Sequence, residues 1–172
     1  MNRVGEFEKV SFKQFSQAIM EEFGFDDDTV RDIYESIKLP KRATNGSAGY
    51  DFFTPIGTTL YPGHTIKIPT GIRVKIDEGW WLGCLPRSGL GFKYRLQLNN
   101  TMGVIDSDYY FSDNEGHIFI KLTNDSKDRR EVMLSPGDAF MQAIFLPYGI
   151  THSDDAQGVR NGGIGSTDGK RG

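Results

Sequence analysis

The sequence predicts a mainly β domain, a jelly-roll sandwich or barrel carrying a small helical insertion near its N-terminus, and three observations support this. From Leu39 onward apolar residues fall in short runs with a period of two. Turn residues break those runs at close intervals, at Pro62-Gly63, Asp77-Glu78-Gly79, Asn124-Asp125 and Pro136-Gly137. Before Leu39 the period is helical instead. Many short strands at this spacing close on themselves, because an open sheet would leave its faces and edges to water.

Taken in order, Arg3 to Val10 reads as a first strand. Residues 11–38 read as a helical hairpin. Ser11 followed by Gln14 makes a capping box, and Phe12, Phe15, Ile19 and Phe23 recur at three- and four-residue steps. Gly24 ends that helix, and the acids Asp26 to Asp28 suit the positive end of a second one, with Val30, Ile33, Tyr34 and Ile37 on one face. This aromatic stripe either packs on its own domain or docks a partner protein through 11–38. The strands that follow are Thr65 to Ile68, Gly71 to Ile76, Trp80 to Leu85, His117 to Leu122 and Ala139 to Leu146. At 172 residues the chain makes a single domain over 1–172, without an internal repeat.

A formal net charge of -3 with mixed signs argues against a nucleic-acid or anionic-membrane surface, so any phosphate must be met by a local cluster of donors. No apolar run reaches membrane-spanning length, and Glu6 and Glu8 stand where a signal peptide needs an apolar core. Cys84 is the single cysteine, so no intrachain disulfide forms, and a reducing, cytoplasmic location is expected.

Residues 160–172 read as a Gly-rich C-terminal lid. The run Arg160-Asn161-Gly162-Gly163-Ile164-Gly165-Ser166-Thr167-Asp168-Gly169 is too poor in apolar side chains to order itself except against something else. Its glycines free backbone N–H groups for an anion, Ser166 and Thr167 add hydroxyls, and Arg160 adds a fork matched to phosphate oxygens. It is not a Walker loop, since no strand precedes it and no Gly-Lys-Ser/Thr triplet follows.

Four further segments come before it: Ala48-Gly49-Tyr50-Asp51-Phe52, Pro86-Arg87-Ser88-Gly89-Leu90, Gly103-Val104-Ile105-Asp106-Ser107-Asp108-Tyr109, and Gly137-Asp138-Ala139-Phe140-Met141-Gln142. With the glycine segment they resemble, in order and spacing, the five motifs of the homotrimeric dUTP pyrophosphatase (dUTPase) family, from Leu39 to Gly169. The resemblance implies a dUTPase-like jelly roll that hydrolyses dUTP to dUMP and pyrophosphate, clearing dUTP and supplying dUMP for dTTP synthesis.

By the same resemblance Asp106 is the catalytic base that aims water at the α-phosphorus, a role suited to an acid that follows the apolar Val104-Ile105 and lies near a second acid. Asp108 is left structural. Tyr109 packs under the deoxyribose and leaves no room for a 2′-hydroxyl. Arg87, Ser88 and Gly89 hold the phosphate chain, with Ser88 near the oxygen bridging the α and β phosphorus atoms, and Gln142 also reaches the phosphates. Asn100, in the hairpin tip Leu98 to Gly103, reads the imide edge of uracil, since an Asn side chain both donates and accepts. Gly103, Val104 and Ile105 continue the substrate-binding stretch, and Arg160, Gly163, Ile164, Gly165, Ser166 and Thr167 close over it. Asp51 holds Mg2+ through a water, and an ion bound mainly by phosphates needs no protein cage. The site is shared by three subunits: one gives the second and fourth motifs, another the base and hairpin, the third the glycine tail. His64, His117 and His152 have no assigned role.

The sequence also departs from the family pattern. Ile164 stands where an aromatic ring usually stacks on uracil, with Phe92 or Tyr94 as the substitute ring. Tyr110-Phe111 replace a basic residue and a glycine, Ser112 to Glu115 read as an insertion, and Ala139 and Met141 replace an arginine and an alanine. The alternative on the same fold, a dCTP deaminase, would need a carboxylic acid placed to deaminate the base.

Overall fold

The chain begins with strand β1 (Gly5–Lys9), then helices α1 (Phe12–Phe23) and α2 (Asp27–Ser36), before entering strands β2 (Lys41–Arg42), β3 (Tyr50–Phe53), β4 (Thr58–Leu60), β5 (Thr65–Pro69), β6 (Ile72–Ile76) and β7 (Trp80–Pro86). A short helix α3 (Ser88–Tyr94), strands β8 (Leu96–Leu98) and β9 (Gly103–Ile105) and a 3-10 turn (Ser107–Phe111) follow, and β10 (Phe119–Asn124), β11 (Val132–Leu134) and β12 (Ala139–Pro147) complete the order. The computed structural model describes residues 2–162, so the expected lid residues Gly163, Ile164, Gly165, Ser166 and Thr167 lie outside it. Among the described residues no helix is long and apolar enough to cross a membrane.

The strands form a five-stranded sheet in the order β2-β3-β12-β7-β9, a three-stranded sheet β5-β10-β8, and the pairs β1-β6 and β4-β11. All pairings are antiparallel. Alternation drives this packing: along β10, Ile120 and Leu122 turn into the core while Lys121 between them is exposed. The fully buried Phe52, Leu82 and Phe140 of the large sheet share one core with Ile68 and Leu122 of the smaller one.

The helical hairpin lies between β1 and β2, as the sequence predicts, and its stripe packs on its own domain. Phe15, Ile19 and Val30 are fully buried, and Phe12, Phe23, Ile33 and Tyr34 lean on the same core. Helices of this length are marginal alone. Burial of each large apolar side chain, worth about 1.5–3 kcal/mol, stabilises them. Two polar ties close the hairpin onto β1, with Lys9 Nζ donating to the Tyr34 carbonyl (2.8 Å) and Tyr34 Oη to the Val10 carbonyl (2.7 Å). Gly24 caps α1 in the left-handed conformation, and Asp26 caps α2 by accepting from Thr29 N–H.

The capping box is only half local. Ser11 Oγ accepts from Gln14 N–H (3.1 Å), but the reciprocal bonds come from Glu115, whose carboxylate takes Ser11 N–H (2.7 Å) and Ser11 Oγ–H (2.6 Å). Residues 112–115 are therefore bound to the helical hairpin.

His117 sits where these parts meet. The predicted strand from His117 instead begins at Phe119, because His117 N–H turns back to the Asn114 carbonyl (3.0 Å). The imidazole is fully buried, its Nε2 accepts from Gly71 N–H (2.9 Å), and its ring lies 4.4 Å from Phe119 and 6.3 Å from Phe15. Gly71 is in the left-handed region (φ 72°), and a Cβ there would collide with Ile37 Cδ1 and approach Phe15 Cδ2 to 3.1 Å.

Burial pushes the His117 pKa from 6.5 down to about 4. Between those values the unfolded chain binds the proton and the folded one does not, so stability is full above pH 6.5 and falls as the pH is lowered. The loss is on the order of 3 kcal/mol across that window. Denaturant unfolding at pH 7 and pH 4.5 should show this fall, and His117→Gln, which keeps an acceptor but cannot titrate, should flatten it.

Candidate active site

The stretch Leu98 to Gly103 is not a simple hairpin, since its two arms belong to different sheets. Leu98 of β8 pairs with Leu122 of β10, whereas Gly103 of β9 pairs with Cys84 of β7. The turn between them is tight: Thr101 takes a positive φ of 66° and donates its N–H to the Leu98 carbonyl (2.9 Å), and Met102 N–H donates to the Asn100 carbonyl (2.6 Å).

Where β9 parts from β8 a cavity of about 570 Å³ opens. It brings together the predicted Asn100, Gly103, Val104, Ile105, Asp106, Tyr109 and Arg160, and it adds Lys67, Phe119 and Lys121. Sequence reasoning missed these three. The signal was the alternation of β10, which sets Phe119 and Lys121 opposite the core residues, and the register that faces Lys121 with Lys67. The backbone of β10 also contributes. Asn99 N–H donates to the Lys121 carbonyl (3.0 Å), while the Ile118 N–H and carbonyl bond to Ile72 and Thr70 on the other side. By that parity the backbone N–H and carbonyl of Phe119 face the parted β8–β9 side, an edge suited to a planar amide-like group.

Tyr109 lies in the 3-10 turn and is buried. Its Oη donates to the His117 carbonyl (2.7 Å) and accepts from Asn114 Nδ2 (2.9 Å), and burial raises its pKa. The hydroxyl is thus occupied, and the residue lines the cavity. The next residue, Tyr110, anchors the turn to β1 and β6: its Oη donates to Glu8 (2.9 Å) and accepts from Arg73 Nη2 (2.7 Å), which itself pairs with Glu8 (2.7 Å).

Asp106 ends β9, half exposed. Burial raises its pKa, the Arg160 guanidinium opposes the rise, and the Asp108 charge adds to it. Arg160 forks across both acids, from Nη2 to Asp106 Oδ2 and from Nε to Asp108 Oδ1 (2.8 Å). The sequence aimed this arginine at phosphate from another subunit's tail. Within the single chain it rests on its own Asp106 and Asp108, which gives Asp108 a definite part as an arginine anchor.

A second cluster forms on the large sheet. Asp51 of β3 faces Gln142 of β12, which in turn faces Leu85 of β7. Arg87 Nε pairs with Asp51 Oδ1 (3.0 Å), its Nη1 donates to the Ala139 carbonyl (3.3 Å), and Gln142 Nε2 donates to the Pro86 carbonyl (3.2 Å). A Cβ on Gly49 would stand 2.7 Å from Gln142 Oε1, so a larger residue there would shift the Gln142 amide. Ser88 and Gly89 open α3, where N–H groups lack intrahelical partners. None of these residues lines the 570 Å³ cavity. Extending the β7–β9 register by one residue sets Asp106 opposite Trp81, six positions from Arg87. At about 3.4 Å per residue, the two clusters are roughly 20 Å apart along one strand.

Neither proposed substitute ring lines the cavity. Phe92 is 93% exposed on α3, and Tyr94 packs against the core. Among the described residues no three His, Cys, Asp or Glu side chains gather as metal ligands. Cys84, buried in β7 with its thiol pushed up to about 12, is inert.

A protein-family model described as dUTPase matches residues 35–168. The deoxyuridine 5'-triphosphate nucleotidohydrolase of Lactococcus lactis subsp. lactis (strain IL1403) is 39% identical over 134 residues, covering 76% of this chain and 88% of its own. That of Blochmanniella pennsylvanica (strain BPEN) is 41% identical over 118 residues, covering 67% and 74%. The crystal structure of dUTPase from Streptococcus mutans superposes with a TM-score of 0.63 at 30% identity, over 86% of this chain and 98% of that one. A Staphylococcus bacteriophage 80alpha dUTPase with dUPNHPP gives 0.64 at 18% identity over 96% and 98%, a likeness of fold alone.

The Asp106 environment carries its own test. Carbon-detected titration should find its carboxyl protonating above the ordinary aspartate range, and Arg160→Gln should move it higher still, because the opposing cation is lost.

Proposed function

Because this chain belongs to the dUTPase family and hydrolyses dUTP to dUMP and pyrophosphate, we propose that Asp106 is its general base and that its two polar clusters act together only across subunits. The carrying observation is the division just described, with Asp106, Tyr109 and Asn100 around one cavity and Arg87, Asp51 and Gln142 roughly 20 Å away along β7.

In this reading uracil enters the gap between the 98–103 turn and β10, where Asn100 and the backbone of Phe119 meet its imide edge. The flank of Tyr109 lies under the deoxyribose, and a 2′-hydroxyl would press on a ring whose own hydroxyl is already committed to His117 and Asn114. Water attacks the α-phosphorus, Asp106 accepts its proton, and the bridging oxygen leaves with pyrophosphate. A carboxylate whose pKa is raised is the better proton acceptor near neutrality. Arg87, Ser88, Gly89 and Gln142 hold the phosphate chain, and Arg160 with Gly163, Ile164, Gly165, Ser166 and Thr167 closes it from water.

Asp51 is the acid of the phosphate cluster, and its residue types fit Mg2+: a hard cation that arrives on phosphates needs one or two carboxylates rather than a cage. When bound, the ion neutralises part of the phosphate charge. A homotrimer is the assembly proposed for joining the two clusters, and the cytoplasm the compartment.

Pyrophosphate release from dUTP, compared with dTTP, dCTP and UTP with and without Mg2+, tests the specificity. Asp106→Asn should lower kcat by about 100- to 10,000-fold, and parent-like turnover would remove Asp106 from the mechanism. The acid limb of the kcat/KM profile should lie above the ordinary aspartate range, with activity lost as pH falls through the Asp106 pKa. Refolding Asp106→Asn together with Arg87→Ala should restore measurable activity that neither protein has alone; failure to do so would place both clusters' work within one subunit.

A further inference from the structure

We propose that the ring of Phe119 is the aromatic wall against which the uracil face packs in this enzyme, an inference that rests on the reading of the 570 Å³ cavity as the nucleoside site. A pyrimidine held along its edge by a turn and a strand backbone still has two apolar faces to cover. Among the described residues two aromatic residues line the cavity, Tyr109 and Phe119. The Tyr109 ring is assigned to the sugar and fixed by two hydrogen bonds through its hydroxyl. That leaves Phe119 for the base.

Phe119 is also held in place from two sides. The buried His117 ring lies 4.4 Å away at an interplanar angle of 43°, and Lys67 Nζ stands 5.7 Å from the Phe119 centroid. Lys67 is fixed in turn by Glu22 of α1, Nζ to Oε2 at 2.7 Å. A ring already confined in the empty protein loses little rotamer freedom when a base stacks on it. The backbone of the same residue faces the parted strands, so one position supplies both an edge contact and a face contact.

The test compares dUTP with 2-deoxyribose 5-triphosphate, which keeps the sugar and phosphates but has no base. For Phe119→Leu, KM for dUTP should rise roughly tenfold or more, with kcat nearly unchanged. The same variant should leave kcat/KM on the base-less substrate at the parent level, and Phe119→Tyr should restore the dUTP value. Equal losses on both substrates would mean that Phe119 only supports the fold, and an unchanged KM for dUTP would mean that it does not touch the base. Either result overturns the proposal while leaving dUTP hydrolysis by Asp106 intact, whereas parent-like turnover by Asp106→Asn would strike at the underlying reading.

Discussion

At Leu98 the chain is still paired with β10, and by Gly103 it has joined β7. Four residues must therefore carry it between two sheets, and the tight turn with its positive-φ threonine is how they do so. Had β8 and β9 formed an ordinary hairpin within one sheet, β10 would have found a neighbour along its whole length. Because they part, a length of strand backbone is left facing a gap, and the residues that follow β9 deliver Asp106 and Tyr109 to its far end. The cavity is a consequence of strand pairing, and the side chains lining it inherit their positions from the two ladders.

The large sheet sets a second constraint. Arg87 continues directly from β7, and Asp106 follows the strand paired with β7, yet antiparallel pairing sends them to opposite ends. No rotamer change closes roughly 20 Å. Within one chain, therefore, Arg87 and Asp106 do not meet. The pairing of Arg87 with Asp51 and of Arg160 with Asp106 keeps both cations near carboxylates in the isolated chain.

Much of this was legible in the sequence. The change of period at Leu39, the stop at Gly24 and the short strands each depend on local chemistry, and each appears close to where the residues predict it, except that the strand expected from His117 begins at Phe119. Asn100, Asp106 and Tyr109 were singled out through the family resemblance of their motifs, and they do line one cavity. What escaped were features made by distant partners. Glu115 completes the cap of Ser11 from 104 residues away, which no helix-start rule contains. Phe119 and Lys67 read as ordinary strand residues until pairing with β5 and the loss of pairing with β8 expose them to one cavity. Arg160 was read as a phosphate ligand from its residue type, and its two carboxylate partners depend on tertiary folding.

The bond between Ser11 and Glu115 has a consequence for how such a protein can be inherited or rebuilt. The helical hairpin and the loop 112–116 lie far apart in sequence, but each is incomplete without the other. Without the hairpin, Glu115 loses both donors, His117 loses its Phe15 neighbour, and Gly71 guards an empty space. Without the loop, α1 loses its outer cap and Tyr109 loses the amide of Asn114. The two segments are a single module written in two places, and a chimera must exchange both at once or neither.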